Sequence, residues 1–318
     1  MGTILCLHGF GPEEQEKIRR AAPGATIVFG RSAEIGPDVY RDAEAVCGWN
    51  DRVAEICLQE GAKLRWVQTW SAGIDSLPLE KLRQRGVLLT DAAGVHSVAV
   101  AETALAHMLG LTRGIHIAVR SQMAGEWHRP SELSELYGRT ALIVGAGAIG
   151  TRIAELARAF GMRTIGIRRT PAPQPAYDRV DGMDKLDEAI AESDYIVNVL
   201  PDTPETRGIF DEARFRLMKP TAFFINVGRG ASVKTEALVE ALRERRIAGA
   251  GLDVFEEEPL PSGHPLRALD NVILTPHTAG HTNRLKERVA DLFAANLEIY
   301  LRGETDRLIN LVNYDKGY

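Results

Sequence analysis

The stretch ALIVGAGAIG, residues 141–150, with its continuation TRIAELARAFG to Gly161, decides the fold of this chain. An apolar run ends in a Gly-x-Gly-x-x-Gly pattern at Gly145, Gly147 and Gly150. It passes directly into a segment of helical spacing, in which Ile149, Ile153, Leu156 and Phe160 fall on one face. Strand, glycine turn and helix in that order predict a dinucleotide site. Gly145 permits the tight turn, Gly147 lets the backbone approach a pyrophosphate, and Gly150 lets helix and strand pack closely. The N–H groups at the helix start, at Ala148 and Ile149, have no intrahelical partner and face the anion.

Outward from this motif, short apolar runs alternate with amphipathic stretches. Before it lie Thr3–Leu7, Ala25–Phe29, Ala43–Cys47, Arg65–Thr69 and Gly86–Thr90. After it come Met162–Ile167, Asp194–Val199, Thr221–Asn226, Gly249–Asp253 and Asn271–Thr275. Buried strands alternating with helices predict α/β architecture with parallel sheets covered on both faces. One long helix is expected from Val98 to about Arg120 and a last one from about Asn283 to Arg302. The Pro-rich stretch Thr170–Asp178 reads as loop. The pattern alone leaves open whether two domains follow one another or one interrupts the other.

The 318 residues suffice for two domains. A net charge of −5 with no basic block predicts no nucleic-acid partner and no anionic membrane surface. Cys6, Cys47 and Cys57 are odd in number and lack metal-ligand spacing, so they read as reduced, buried thiols and no metal is expected. The first residues lack the features of a secretion signal. The most apolar later stretch, Ala92–Thr112, is interrupted by His96, Glu102 and His107. A cytoplasmic protein without a membrane span is therefore expected.

The run after the glycine helix, RTIGI, is followed by Arg168, Arg169 and Thr170. NAD sites usually carry an acid at this point for the ribose 2′-hydroxyl. A carboxylate would repel a 2′-phosphate, whereas a guanidinium binds one with paired N–H bonds. NADP(H) is expected in preference to NAD(H).

Three further motifs each end a predicted strand: INVGRG with Arg229, GLDVFEEEPLP with Asp253 and Glu258, and LTPHTAG with His277. Ligands bind at the carboxyl ends of strands in open parallel sheets. Singly, each residue also reads as an ordinary surface or loop side chain. Together with TWSAGIDSLP, AGVHSVAVAETALAHML, GAGAIG and LPDTPETRG, in that order, they resemble the D-isomer-specific 2-hydroxyacid dehydrogenase family over nearly the whole chain.

The resemblance implies two doubly wound parallel-sheet domains. A Rossmann nucleotide domain (97–283) is inserted into a flavodoxin-like substrate domain (1–96 with 284–318), with the active site in the cleft. It implies Arg229 as the carboxylate and carbonyl clamp, His277 as acid/base, and Glu258, the glutamate directly before proline, as its partner. Backbone N–H groups near Ala72 and Gly73 would cradle the substrate carboxylate, and Trp49 would meet its side chain. Asp253 would lie near the nicotinamide. Leu200, Pro201, Thr206, Val227, Gly228 and Gly280 would line the cofactor groove. The expected activity is reduction of a small 2-oxo acid, glyoxylate or hydroxypyruvate above all, by a homodimer that pairs through the helix near Ala101 and the Trp127 loop. Hydride arriving at a ketone builds charge on oxygen, which an imidazolium and a guanidinium stabilise.

Two other readings compete. HGFG at His8–Gly11 and TWSAG at Ser71 imitate a hydrolase's oxyanion loop and nucleophile elbow, but Gly73 and Pro78 stand where the elbow needs a helix. A dinucleotide-sensing corepressor without turnover shares the fold and retains such residues. No added interaction segment accompanies the motifs here.

Overall fold

The computed structural model describes residues 2–74, 76–130 and 132–314. The chain divides into two compact units, Met1–His96 with Thr282–Tyr318, and Ser97–His281, so that the second is inserted in the first.

The first unit holds a parallel sheet of β1 (Thr3–Cys6), β2 (Thr26–Phe29), β3 (Ala43–Cys47), β4 (Trp66–Gln68) and β5 (Leu88–Thr90), in the order β2-β1-β3-β4-β5. This is the flavodoxin-like order. Alternate residues face opposite sides. Ile4, Cys6, Ala45, Cys47 and Trp66 enter one core, and Leu5, Val46, Val67 and Leu89 the other. The chain returns from the second unit as the helix Leu285–Leu301. Trp66 stacks on its Phe293 and Tyr300 at centroid distances of 5.2 and 5.1 Å. Asn296, wholly buried on the same helix, donates to Gln68 Oε1 (3.0 Å) and the Ile309 carbonyl (2.9 Å), and accepts from the Ile309 N–H (2.7 Å).

The second unit holds β6 (Thr140–Val144), β7 (Arg163–Ile167), β8 (Arg179–Asp181), β9 (Tyr195–Asn198), β10 (Phe223–Asn226), β11 (Gly249–Leu252) and β12 (Val272–Leu274). They form one parallel sheet in the order β12-β11-β10-β9-β6-β7-β8, the doubly wound Rossmann order. Most of its strands read as apolar runs because both faces are covered. Leu142, Val144, Ile165 and Phe224 serve one core, and Ala141, Ile143, Val197 and Ile225 the other.

Three expectations need correction. The long helix from Val98 breaks into Ser97–Thr112 and Ile115–Ala124, because Gly114 takes a left-handed conformation (φ 62°). The helix Ala148–Ala159 buries Gly150, Ile153, Ala154 and Ala157, whereas Phe160 is 44% exposed. Its small residues let it approach its neighbours closely, and the large ring is left outside. The strand β8 emerges from Arg179-Val180-Asp181, where the sequence gives no apolar run. Among the described residues no helix is long and apolar enough to cross a membrane.

Asn296→Ala should lower stability by about 2 kcal/mol, because it removes three hydrogen bonds that tie Gln68 and the tail at Ile309 to the returning helix. A denaturant midpoint equal to wild type would show that the tail is held by other means.

Candidate active site

The glycine turn follows from steric demand. Gly145 has φ 110°, and a Cβ on it would fall 3.0 Å from the Val199 carbonyl carbon and oxygen. A Cβ on Gly150 would fall 2.3 Å from the Gly145 oxygen, which enforces the close approach of helix and turn. Around Gly147 a Cβ would meet nothing within 4 Å. The turn thus keeps an open side at the start of a twelve-residue helix, and a pyrophosphate fits there. Arg168, Arg169 and Thr170 leave the end of β7, with Arg169 and Thr170 exposed. The 170–178 segment folds back on this turn. Gln174 Oε1 accepts from Thr151 Oγ1 (3.1 Å), and its Nε2 donates to the Ala146 carbonyl (3.4 Å).

Next to the turn lie the ends of β9 and β10. A Cβ on Gly228 would sit 2.8 Å from the Leu200 oxygen. Thr206 Oγ1 donates to the Pro201 carbonyl (2.6 Å) and fixes the loop after β9. Below them is a buried polar group that sequence reasoning missed. Asn198 Nδ2 donates to Asn226 Oδ1 (2.9 Å) and Ser232 Oγ (2.7 Å), Asn226 Oδ1 also accepts from the Gly228 N–H (3.1 Å), and Ser232 Oγ donates to the Arg229 carbonyl (2.6 Å). An asparagine closing each of two otherwise apolar strands was the available signal.

Arg229, Glu258 and His277 leave three neighbouring strands, β10, β11 and β12. His277 Nδ1 and Glu258 Oε2 are 2.6 Å apart, and Glu258 Oε1 accepts from the Phe255 N–H (2.9 Å). The pairing fixes one ring nitrogen and leaves Nε2 for other chemistry. The His277 side chain is 52% exposed. A cavity of about 650 Å³ adjoins the pair, walled by Phe255, Leu274 and Pro276. Arg229 is joined to this region by its neighbour Gly230. A Cβ there would fall 1.9 Å from the Phe255 carbonyl carbon, so the two backbones touch and only glycine fits.

His277 has φ 53°, unusual for a non-glycine residue. Asp253 holds it there. That carboxylate is 1% exposed and accepts from Thr275 Oγ1 (2.5 Å), the Thr278 N–H (3.0 Å) and the Ala279 N–H (3.0 Å). The His277 N–H donates to the Asp253 carbonyl (2.8 Å). Asp253 is therefore engaged on every side within its own unit. Behind it, His107 Nε2 lies 3.4 Å from Thr275 Oγ1. Burial lowers the His107 pKa to about 4, opposed by the nearby Asp253 charge. In the first unit, Trp49, Ala72 and Gly73 follow β3 and β4 and are partly exposed. Ser71 Oγ donates to the Gly73 carbonyl (2.7 Å), and among the described residues the next helix begins at Leu79. Ser71 is thus not on a nucleophile elbow.

Comparison with known proteins gives the family. The sequence model of the D-isomer specific 2-hydroxyacid dehydrogenase NAD binding domain matches residues 105–279. The glyoxylate reductase of Pyrococcus furiosus is 38% identical over 263 residues, 80% of this chain and 78% of its own. The crystal structure of a D-isomer specific 2-hydroxyacid dehydrogenase family protein from Aeromonas salmonicida superposes with TM-score 0.85 at 31% identity, covering 99% of both chains. That of a D-isomer specific 2-hydroxyacid dehydrogenase from Xanthobacter autotrophicus, in complex with NADPH and MES, gives 0.83 at 29% identity over the whole of both chains. The chain belongs to the D-isomer specific 2-hydroxyacid dehydrogenase family. It is an oxidoreductase of the 2-hydroxyacid class with a nicotinamide dinucleotide cofactor.

The lowered pKa of His107 sets a pH dependence. A depressed folded-state value means the fold favours the neutral ring, so this stability is present above about pH 6.5 and is lost as pH falls towards 4. Its size is on the order of 3 kcal/mol. His107→Gln should flatten stability against pH over that window, and an unchanged slope in urea titrations would show that other groups carry it.

Proposed function

We propose that this enzyme reduces a short 2-oxo acid, glyoxylate or hydroxypyruvate, to the 2-hydroxy acid, with NADP(H) preferred over NAD(H). The observation that carries the reading is the 2.6 Å His277–Glu258 pair beside a small cavity, on strands next to the one that delivers Arg229. The likeness to glyoxylate reductases supports the substrate class.

In this mechanism Arg229 binds the substrate carboxylate and the carbonyl oxygen through its fork of donors. Glu258 holds the ring of His277 through Nδ1, so the proton is delivered from Nε2 to the carbonyl oxygen. The nicotinamide, when bound, supplies hydride to the carbonyl carbon. Gly145, Gly147, Ala148, Ile149 and Gly150 hold the pyrophosphate. Arg168, Arg169 and Thr170 hold the ribose 2′-phosphate, and Leu200, Pro201, Thr206, Val227, Gly228 and Gly280 line the groove. Asp253 serves the site by fixing the loop that carries His277. Ala72 and Gly73 receive the substrate carboxylate, and Trp49 its side chain. The absence of an acid at the end of β7 supports NADP(H), as does the NADPH bound in the Xanthobacter relative.

The same reading makes the protein a cytoplasmic homodimer. Its three cysteines are buried and unpaired, as in a reducing compartment. The pairing surface is the helix near Ala101, which presents Glu102 and Ala106 to solvent, together with the Trp127 loop. Met123, Trp127 and Tyr137 are 84%, 88% and 77% exposed, with Ile115 and Val119 beside them in sequence. A second copy covering these side chains removes them from water. Light scattering should give twice the chain mass, and Trp127→Glu should shift it towards one. A monomeric wild type would end this part of the reading.

His277→Ala should lower kcat for glyoxylate by roughly 10²–10⁴-fold, with NADPH affinity by fluorescence titration nearly unchanged. Normal turnover in that variant would overturn the assignment. Arg168→Ala with Arg169→Ala should weaken NADPH use by about tenfold or more and leave NADH use nearly as it was. A wild-type enzyme that uses NADH equally well would remove the NADP(H) preference.

A further inference from the structure

The sheet of the first unit reverses direction between β1 and β3, and open parallel sheets receive ligands outside the strand ends at such a point. His8 and Gly9 leave β1 there, and Gly48 and Trp49 leave β3. His8 has φ 70° and Gly9 φ 65°. A left-handed histidine is held by its surroundings, and such outliers gather at functional sites.

The surroundings are built for it. The His8 ring lies 5.0 Å from the Trp70 ring, and Trp70 is backed by Phe10 at 4.8 Å. A Cβ on Gly48 would fall 2.8 Å from His8 Cδ2 and 3.0 Å from Nε2, so the imidazole fits only because residue 48 is glycine. Yet the residue is exposed. Among the described residues neither ring nitrogen has a hydrogen-bond partner. An imidazole packed on one face, with both nitrogens to offer, is placed to bind something brought from solution.

We propose that His8 is a specificity residue of the substrate site, whose imidazole hydrogen-bonds a hydroxyl group on C3 of a 2-oxo acid. This rests on the reading of the reaction given above and adds what the first unit selects. Burial of the packed face lowers the pKa of His8, so the ring is neutral near pH 7. A neutral imidazole offers one donor and one acceptor, which suits a hydroxyl and brings no charge for a second carboxylate. Hydroxypyruvate carries that hydroxyl. 2-Oxobutyrate has a methyl group in its place, and glyoxylate has no C3. A site built to bond a hydroxyl discriminates strongly against the analogue without one.

The test compares these three acids in wild type, His8→Gly and His8→Phe. Glycine accepts the left-handed backbone without strain, so folding is secure, and phenylalanine keeps a ring on Trp70. In both variants the kcat/KM ratio of hydroxypyruvate to 2-oxobutyrate should fall about tenfold or more, and glyoxylate should stay within about twofold of wild type. Quenching of tryptophan fluorescence by D-glycerate should weaken in step with that ratio, and quenching by 2-hydroxybutyrate should not. An unchanged ratio, or an equal loss with glyoxylate, would overturn the role of His8. A wild-type enzyme inactive on all three acids would reject the reaction itself, and His8's role with it.

Discussion

The contact between His277 and Glu258 is the interaction on which the account depends, and much of the second unit is organised to hold it. A histidine in a left-handed backbone conformation does not stay there unaided. The Asp253 carboxylate, buried and accepting from Thr275, Thr278 and Ala279, fixes the loop on both sides of His277. Glu258 is tied through its other oxygen to the Phe255 amide. Each partner thus reaches the pair with its geometry already set, as the proposed transfer of a proton from His277 requires.

Parallel pairing makes this convergence possible. Because β10, β11 and β12 run the same way side by side, their carboxyl ends lie along one edge of the sheet. Arg229, Glu258 and His277 are distant in sequence but leave adjacent strands. The same arrangement places the glycine turn of β6 against the end of β9. There Gly145 and Gly228 both tolerate the backbone at Val199 and Leu200 only for lack of a side chain. Glycine allows close packing in one place and leaves open space in another, and Gly147, with nothing within 4 Å of where its Cβ would be, is the second kind.

Much of this was legible in the sequence because the demands are local. A strand buried on both faces must be apolar, and a turn without room must be glycine, so most strands and the glycine turn after β6 could be read directly. The carboxyl-end residues followed from their positions after strands. What escaped were features decided by distant partners. Gly114 breaks a helix whose pattern runs on past it, since one glycine inside a helical pattern is usually tolerated. Phe160 lies outside because the helix ends at Ala159 and the buried face runs through Gly150, Ile153, Ala154 and Ala157. The β8 strand is polar in sequence and forms because β7 offers an edge. The Asn198–Asn226–Ser232 group and the Asp253 anchor join pieces of chain whose proximity only the fold supplies.

The most direct measurement of the central claim is a double-mutant cycle on kcat/KM for glyoxylate, with Glu258→Gln, His277→Asn and the two combined. If the carboxylate acts through the imidazole, removing it from an enzyme that already lacks the histidine changes little, and the double variant matches His277→Asn. Losses that simply add would show two side chains working independently and would contradict the account.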